Sequence, residues 1–151
     1  MQYTVEITLE LPRERVIELF DDPDNLPKWQ KGLQSFEPIS GTPGEVGATS
    51  RLRFQMGKRR LEMVETITRR ELPDHFDGTY ETQGVFNVVK NQFIAVSSNQ
   101  TRWVSENEFR FTTLMMKGIE LLMKGAFPKQ SLKYMEDFKA FAERGVDVRQ
   151  G

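Results

Sequence analysis

At 151 residues the chain suits one domain, 1–151, large enough to bury roughly 70% of the surface its unfolded form would expose. Its 21 Lys+Arg and 22 Asp+Glu are interleaved along the whole length, which excludes the basic footprint of a nucleic-acid binder. Cysteine is absent, which excludes disulfides, a thiolate nucleophile and sulfur-ligated metal, while 38% apolar and 28% charged residues describe a folded chain.

The chain opens strand-like, with Tyr3, Val5, Ile7 and Leu9 alternating with polar neighbours. No charged and apolar leader precedes this strand and no run approaches about 18 apolar residues, so a cytoplasmic location without stable membrane insertion is expected. Pro12 suits the first turn of a short helix, in which Val16, Leu19 and Phe20 fall at i, i+3, i+4. Asp21-Asp22-Pro23 breaks it, and Asp22 caps a second short helical segment running through Trp29.

Strands are then expected at Leu33–Ile39, Val46–Met56, Leu61–Arg70, Phe76–Thr82, Val85–Ser97 and Arg102–Phe111. Pro38 marks the first of these as an edge or an early end. Lys58-Arg59-Arg60 follows Gly57 as a solvated hairpin turn. Sequential hairpins without intervening helices imply an antiparallel sheet.

Periodicity changes after Phe111. Thr113 to Arg144 reads as one long helix, kinked where Gly125 lowers helix propensity and Pro128 has no N–H for the carbonyl of Lys124. Its first half leaves only Lys117, Glu120 and Lys124 as a polar stripe and is expected to be covered on most sides, at the mouth of a cavity or against a second covering layer. Its second half is amphipathic and should lie flat across the sheet.

The run Val5-Glu6-Ile7, Leu11-Pro12-Arg13-Glu14-Arg15-Val16, Leu19-Phe20-Asp21-Asp22-Pro23 and Asn25-Leu26-Pro27-Lys28-Trp29, with the order of elements behind it, resembles the SRPBCC superfamily. That superfamily includes START domains, birch-pollen-allergen-like proteins and polyketide cyclases/dehydrases. The resemblance spans essentially the whole chain, and its residues specify fold, not chemistry. It implies an α+β helix-grip fold. A curved antiparallel sheet of about six or seven strands would wrap a long kinked C-terminal helix, with two short helices after the first strand closing one end of a cavity.

Candidate site residues follow from the faces of these elements. Glu65 is the one polar residue among Leu61, Met63 and Ile67, and a carboxyl there must be paired, hydrogen-bonded or protonated. Ser105 and Asn107 share a face with Trp103 and could orient a ligand, and Tyr80 shares one with Phe76. The ligand-contacting set is completed by Trp29, Phe54, Met56, Met115, Ile119, Leu122 and Met123; four of the seven methionines lie on the long helix, where the flexible thioether suits either a deformable wall or core filling. His75 and Asp77 fall on the face opposite Phe76 and Tyr80 and are expected to point to solvent. One histidine and no cysteine predict no metal, and no cofactor motif is present.

Three functions are compatible with this reading. The first is binding or carriage of a hydrophobic small molecule such as a lipid, isoprenoid or polyketide. The second is a cyclase or dehydratase using Glu65 as general acid/base, assisted by Tyr80 or Asn107, which requires Glu65 and Asn107 to converge on one point. The third is a protein-interaction module that shows an exposed apolar patch and no open cavity. Homodimerisation through a sheet edge or helix is compatible with all three.

Overall fold

The computed structural model describes residues 1–150. Strands β1 (Gln2–Leu9), β2 (Leu33–Ser40), β3 (Thr49–Met56), β4 (Arg59–Glu71), β5 (His75–Thr82), β6 (Val85–Ser97) and β7 (Gln100–Phe111) form one antiparallel sheet in the order β1-β7-β6-β5-β4-β3-β2. Helix α1 (Arg13–Phe20), a 3₁₀ turn at Pro23–Asn25 and α2 (Leu26–Trp29) bridge the two edge strands. The curved sheet and C-terminal helix make the helix-grip α+β fold. Val46 lies outside β3, 60% exposed beside Gly47, whose φ of +91° ends the extended path before Thr49.

The tail runs as two helical segments, α3 (Leu114–Met123) and α4 (Ala126–Arg144), joined through Lys124 and Gly125, whose backbone stays right-handed, so the break falls where the kink was expected. Pro128 falls in the first turn of α4, where a missing N–H costs nothing, but it leaves the Lys124 carbonyl without an i+4 donor, so α3 ends there. The side chain of Thr113 caps α3 by accepting from the Met116 N–H at 3.1 Å. No residue of α3 is fully buried. The expectation that this half is covered is therefore overturned: apolar periodicity shows what a helix would bury, not that a partner lies within reach.

Helix α4 does lie on the sheet. Met135 and Phe138 are buried with Leu9, Val16, Trp29, Phe93 and Trp103, joining α1, α2, β1, β6 and β7 in one core. Phe20 sits at its centre, with ring centroids 5.0 Å from Phe93, 5.5 Å from Trp103, 5.8 Å from Phe76 and 6.0 Å from both Trp29 and Phe138. Each such side chain contributes about 1.5–3 kcal/mol through burial. Near the other edge, Leu33, Leu52 and Phe54 form a second buried cluster with Leu26, Phe36 and Met63 packed against it. On the concave face between these clusters Ser50, Ile67, Asn91, Ser105 and Asn107 are buried, and Glu65, Tyr80, Asn87 and Val89 are half-buried.

Candidate functional site

Register places the polar side chains of the concave face in rows across the strands. Ser50 pairs with Glu65, Glu65 with Tyr80, Tyr80 with Asn87 and Asn87 with Phe109, so one row crosses β3, β4, β5, β6 and β7. The next row runs Ile67, Gly78, Val89, Asn107 and Tyr3, and the row beyond it includes Phe76, Asn91 and Ser105. Because every second residue of a strand faces the same way, these groups all face the helix side. They form a polar band between two apolar ends.

The centre of the band is a carboxyl–phenol pair. The Tyr80 hydroxyl donates to Oε2 of Glu65 at 2.7 Å. Burial raises the Glu65 pKa and outweighs the opposing effect of this hydrogen bond. Burial and the neighbouring Glu65 carboxylate push the Tyr80 phenol well above its usual range. Oε1 of Glu65 receives no hydrogen bond from the described residues and is not fully buried. Gly78, one register row away, adds no side chain: a Cβ there would lie 3.9 Å from the Tyr80 hydroxyl and 3.2 Å from the Thr66 carbonyl oxygen. The floor beside the pair is thereby kept low.

Other polar groups of the band are committed to one another. Asn107 Nδ2 donates to Ser105 Oγ at 3.1 Å, Trp103 Nε1 to Asn91 Oδ1 at 2.9 Å, and Asn87 Nδ2 to the Glu108 carbonyl at 3.2 Å. Tyr3 closes the band toward α4, its hydroxyl 2.6 Å from Ser131 Oγ. Arg70 also reaches the concave side and holds Asp21 at the end of α1 through two bonds of 2.6 and 2.7 Å. A bulge at Thr68, between the Ile67–Gly78 and Arg69–Asp77 pairs, shifts the facing of β4 by one residue and re-aims Arg70 inward.

The sequence-predicted set divides three ways. Glu65 and Tyr80 meet, Asn107 and Met63 lie on the same concave face, and Ile119 is half-buried on α3. Trp29, Phe76 and Trp103 are instead taken up by the aromatic core around Phe20, and Phe54 by the second cluster, so none of these four is a free contact surface. Met115 and Leu122 point outward at 75% and 88% exposure, and Met56 and Met123 are 40% and 50% exposed. Glu65 and Asn107 do not converge: they stand three strands apart, about 14 Å between backbones at ~4.8 Å per strand, and the Asn107 amide is already bound to Ser105.

Ser50, Asn87, Asn91 and Gly78 belong to the band but were not singled out in the sequence. Asn87 was within reach, as the polar residue between Val85 and Val89 on one face. On the convex side, His75 and Asp77 do oppose Phe76 and Tyr80, yet Asp77 is buried, not solvated, with its Oδ1 left without a hydrogen-bond partner. That burial raises its pKa. The described residues contain no group of three or more His, Cys, Asp or Glu placed to hold a metal ion, and no helix long and apolar enough to cross a membrane.

A sequence profile described as polyketide cyclase/dehydrase and lipid transport matches residues 1–141. The chain belongs to that family. No curated protein sequence matches it. Among solved structures, this family member is similar to the Zhui aromatase/cyclase of Streptomyces sp. R1128, with a TM-score of 0.79 and 11% identity over 95% of this chain and 94% of that one. A conserved protein of Geobacillus kaustophilus aligns at TM-score 0.75 and 16% identity, covering 97% of each chain. Norcoclaurine synthase of Thalictrum flavum, in complex with dopamine and hydroxybenzaldehyde, aligns at 0.69 and 16% identity, over 93% of this chain and 84% of that one. At these low identities the structural alignments show a shared fold. The polyketide cyclase/dehydrase family member described here carries its own polar band on that fold.

Proposed function

We propose that the chain binds an apolar small molecule bearing a hydroxyl or amine, with the body of the ligand along the concave groove and its donor on Oε1 of Glu65. The observation that carries this reading is the half-buried Glu65–Tyr80 pair, one acceptor oxygen open, set between apolar surfaces. A pocket of this kind draws its affinity from apolar burial, at about 25 cal/mol per Å², and its orientation from a few polar groups. The family description, which joins lipid transport to polyketide chemistry, supports an apolar ligand. The norcoclaurine synthase complex with dopamine and hydroxybenzaldehyde supports a small aromatic occupant with polar substituents.

Calorimetry with 1-naphthol and 1-methoxynaphthalene tests this directly, since the two differ in one donor. The naphthol binds several-fold tighter, and Glu65→Leu removes the difference. Equal affinities in the native protein, or a preference untouched by Glu65→Leu, contradict the reading.

The same carboxyl favours a second reading, a cyclase or dehydratase in which Glu65, its pKa raised by burial, moves a proton with Tyr80 beside it. Asn107 plays no part in that version. Turnover of a donor-bearing polyketide analogue that is lost in Glu65→Gln, while binding persists, would select it over simple carriage.

A further inference from the structure

Helix α3 turns its most apolar side to solvent. Leu114 and Leu122 are 88% exposed, Leu121 81% and Met115 75%. At i, i+1, i+7 and i+8 they form one stripe, with Gly118 and Gly125 on the same side and nothing within 4 Å of a Cβ at either glycine. The opposite side, with Met116, Ile119 and Glu120, is the half-buried one. Scattered surface leucines are ordinary, but a contiguous stripe on one helix marks a contact surface.

The charge around the stripe says what it contacts. From Leu114 to Lys133 the chain carries Lys117, Lys124, Lys129 and Lys133 against a single acid, Glu120, in a protein whose net charge is −1. Glu120 is occupied, 3.6 Å from the Met1 ammonium, whereas Lys117, Lys124 and Lys129 have no ion-pair partner among the described residues. Ten residues at 1.5 Å each span about 15 Å, half of a bilayer core, so the helix can lie in an interface but not cross one.

We infer that α3 seats on an anionic lipid surface, its Leu114/Met115/Leu121/Leu122 stripe in the headgroup boundary and its lysines on the lipid charges. Lysine stems of that length reach back to headgroups from the edge of an inserted stripe. A second copy of the chain fits less well. A two-fold contact through this stripe would set two lysine-flanked helices together with no free acid to balance them, while anionic lipid neutralises them. The inference stands apart from the groove and its ligand.

Flotation of the full chain with vesicles of phosphatidylcholine alone, and of equal parts phosphatidylcholine and phosphatidylglycerol, provides the test. The protein floats with the anionic vesicles only, and added salt weakens the association. Lys117→Glu and Lys124→Glu each lower partitioning by roughly fivefold or more, and the pair Leu121→Glu/Leu122→Glu by roughly tenfold or more. These side chains are exposed, so the thermal melt of each variant matches the parent. No flotation, equal flotation with both vesicle types, or binding indifferent to the leucine pair overturns the inference. So does a dimer in sedimentation analysis that the leucine pair dissolves while vesicles recover nothing.

Discussion

Glu65 concentrates the chemistry of this protein because its neighbours pull its proton affinity in opposite directions and burial prevails. The consequence for stability has a definite sign. Below the ordinary carboxyl value near 4.5, folded and unfolded chains both hold the proton and Glu65 adds no pH dependence. As pH rises from there through the raised folded value, the unfolded chain ionises more readily, so stability falls across that window and stays lower above it. Glu65→Gln keeps an acceptor for Tyr80 and removes the ionisation. Denaturant titrations across acidic to mildly alkaline pH should therefore show the variant gaining on the parent as pH rises, with the two converging in acid. A difference independent of pH would mean that Glu65 ionises freely in the folded chain. The sequence made this residue visible, as a carboxyl on an apolar face, and Tyr80 with it; what it did not disclose was Arg70, whose inward aim depends on a one-residue bulge that strict alternation does not register.

At the level of elements, the two C-terminal helices differ in what holds them. Phe138 is fully buried in α4, and Phe138→Ala should cost about 3–5 kcal/mol in equilibrium unfolding. A loss below about 1 kcal/mol would show that the aromatic core around Phe20 collapses to fill the gap. Helix α3 is docked far more lightly. Gly84, in the turn between β5 and β6, has φ +78°, and a Cβ on it would stand 2.9 Å from Cγ of Met116. Gly84→Ala should cost about 1–2 kcal/mol through the left-handed backbone alone, and the contact with Met116 should loosen α3. Hydrogen exchange should then quicken at Leu114–Met123 while α4 keeps its protection; unchanged exchange in α3 would mean that this turn does not hold it. The break between the helices was half legible: Pro128 and Gly125 announced a discontinuity, but the loss of covering on α3 depends on how far the sheet extends beneath it, a tertiary fact without a local signal.

For the whole molecule, the order of elements and the alternation of β1 and β3–β7 in the sequence were enough to place the sheet and its inner face. The site was less legible, because large apolar residues look alike whether they line a groove or fill a core. Trp29, Phe76 and Trp103 fill one, and the closure around Phe20 that claims them joins residues distant in sequence. What remains is a protein packed tightly at the α4 end, with a half-buried Glu65–Tyr80 pair on its concave face and an apolar α3 surface, so a hydrophobic probe has two different surfaces to choose between. The measurement that separates them is amide chemical-shift mapping of isotope-labelled protein titrated with 1-naphthol. Shifts centred on Ser50, Glu65, Tyr80, Asn87 and Val89 are the predicted result. Shifts confined to Leu114–Met123, or none on the concave strands at saturating probe, would contradict the groove as the binding site.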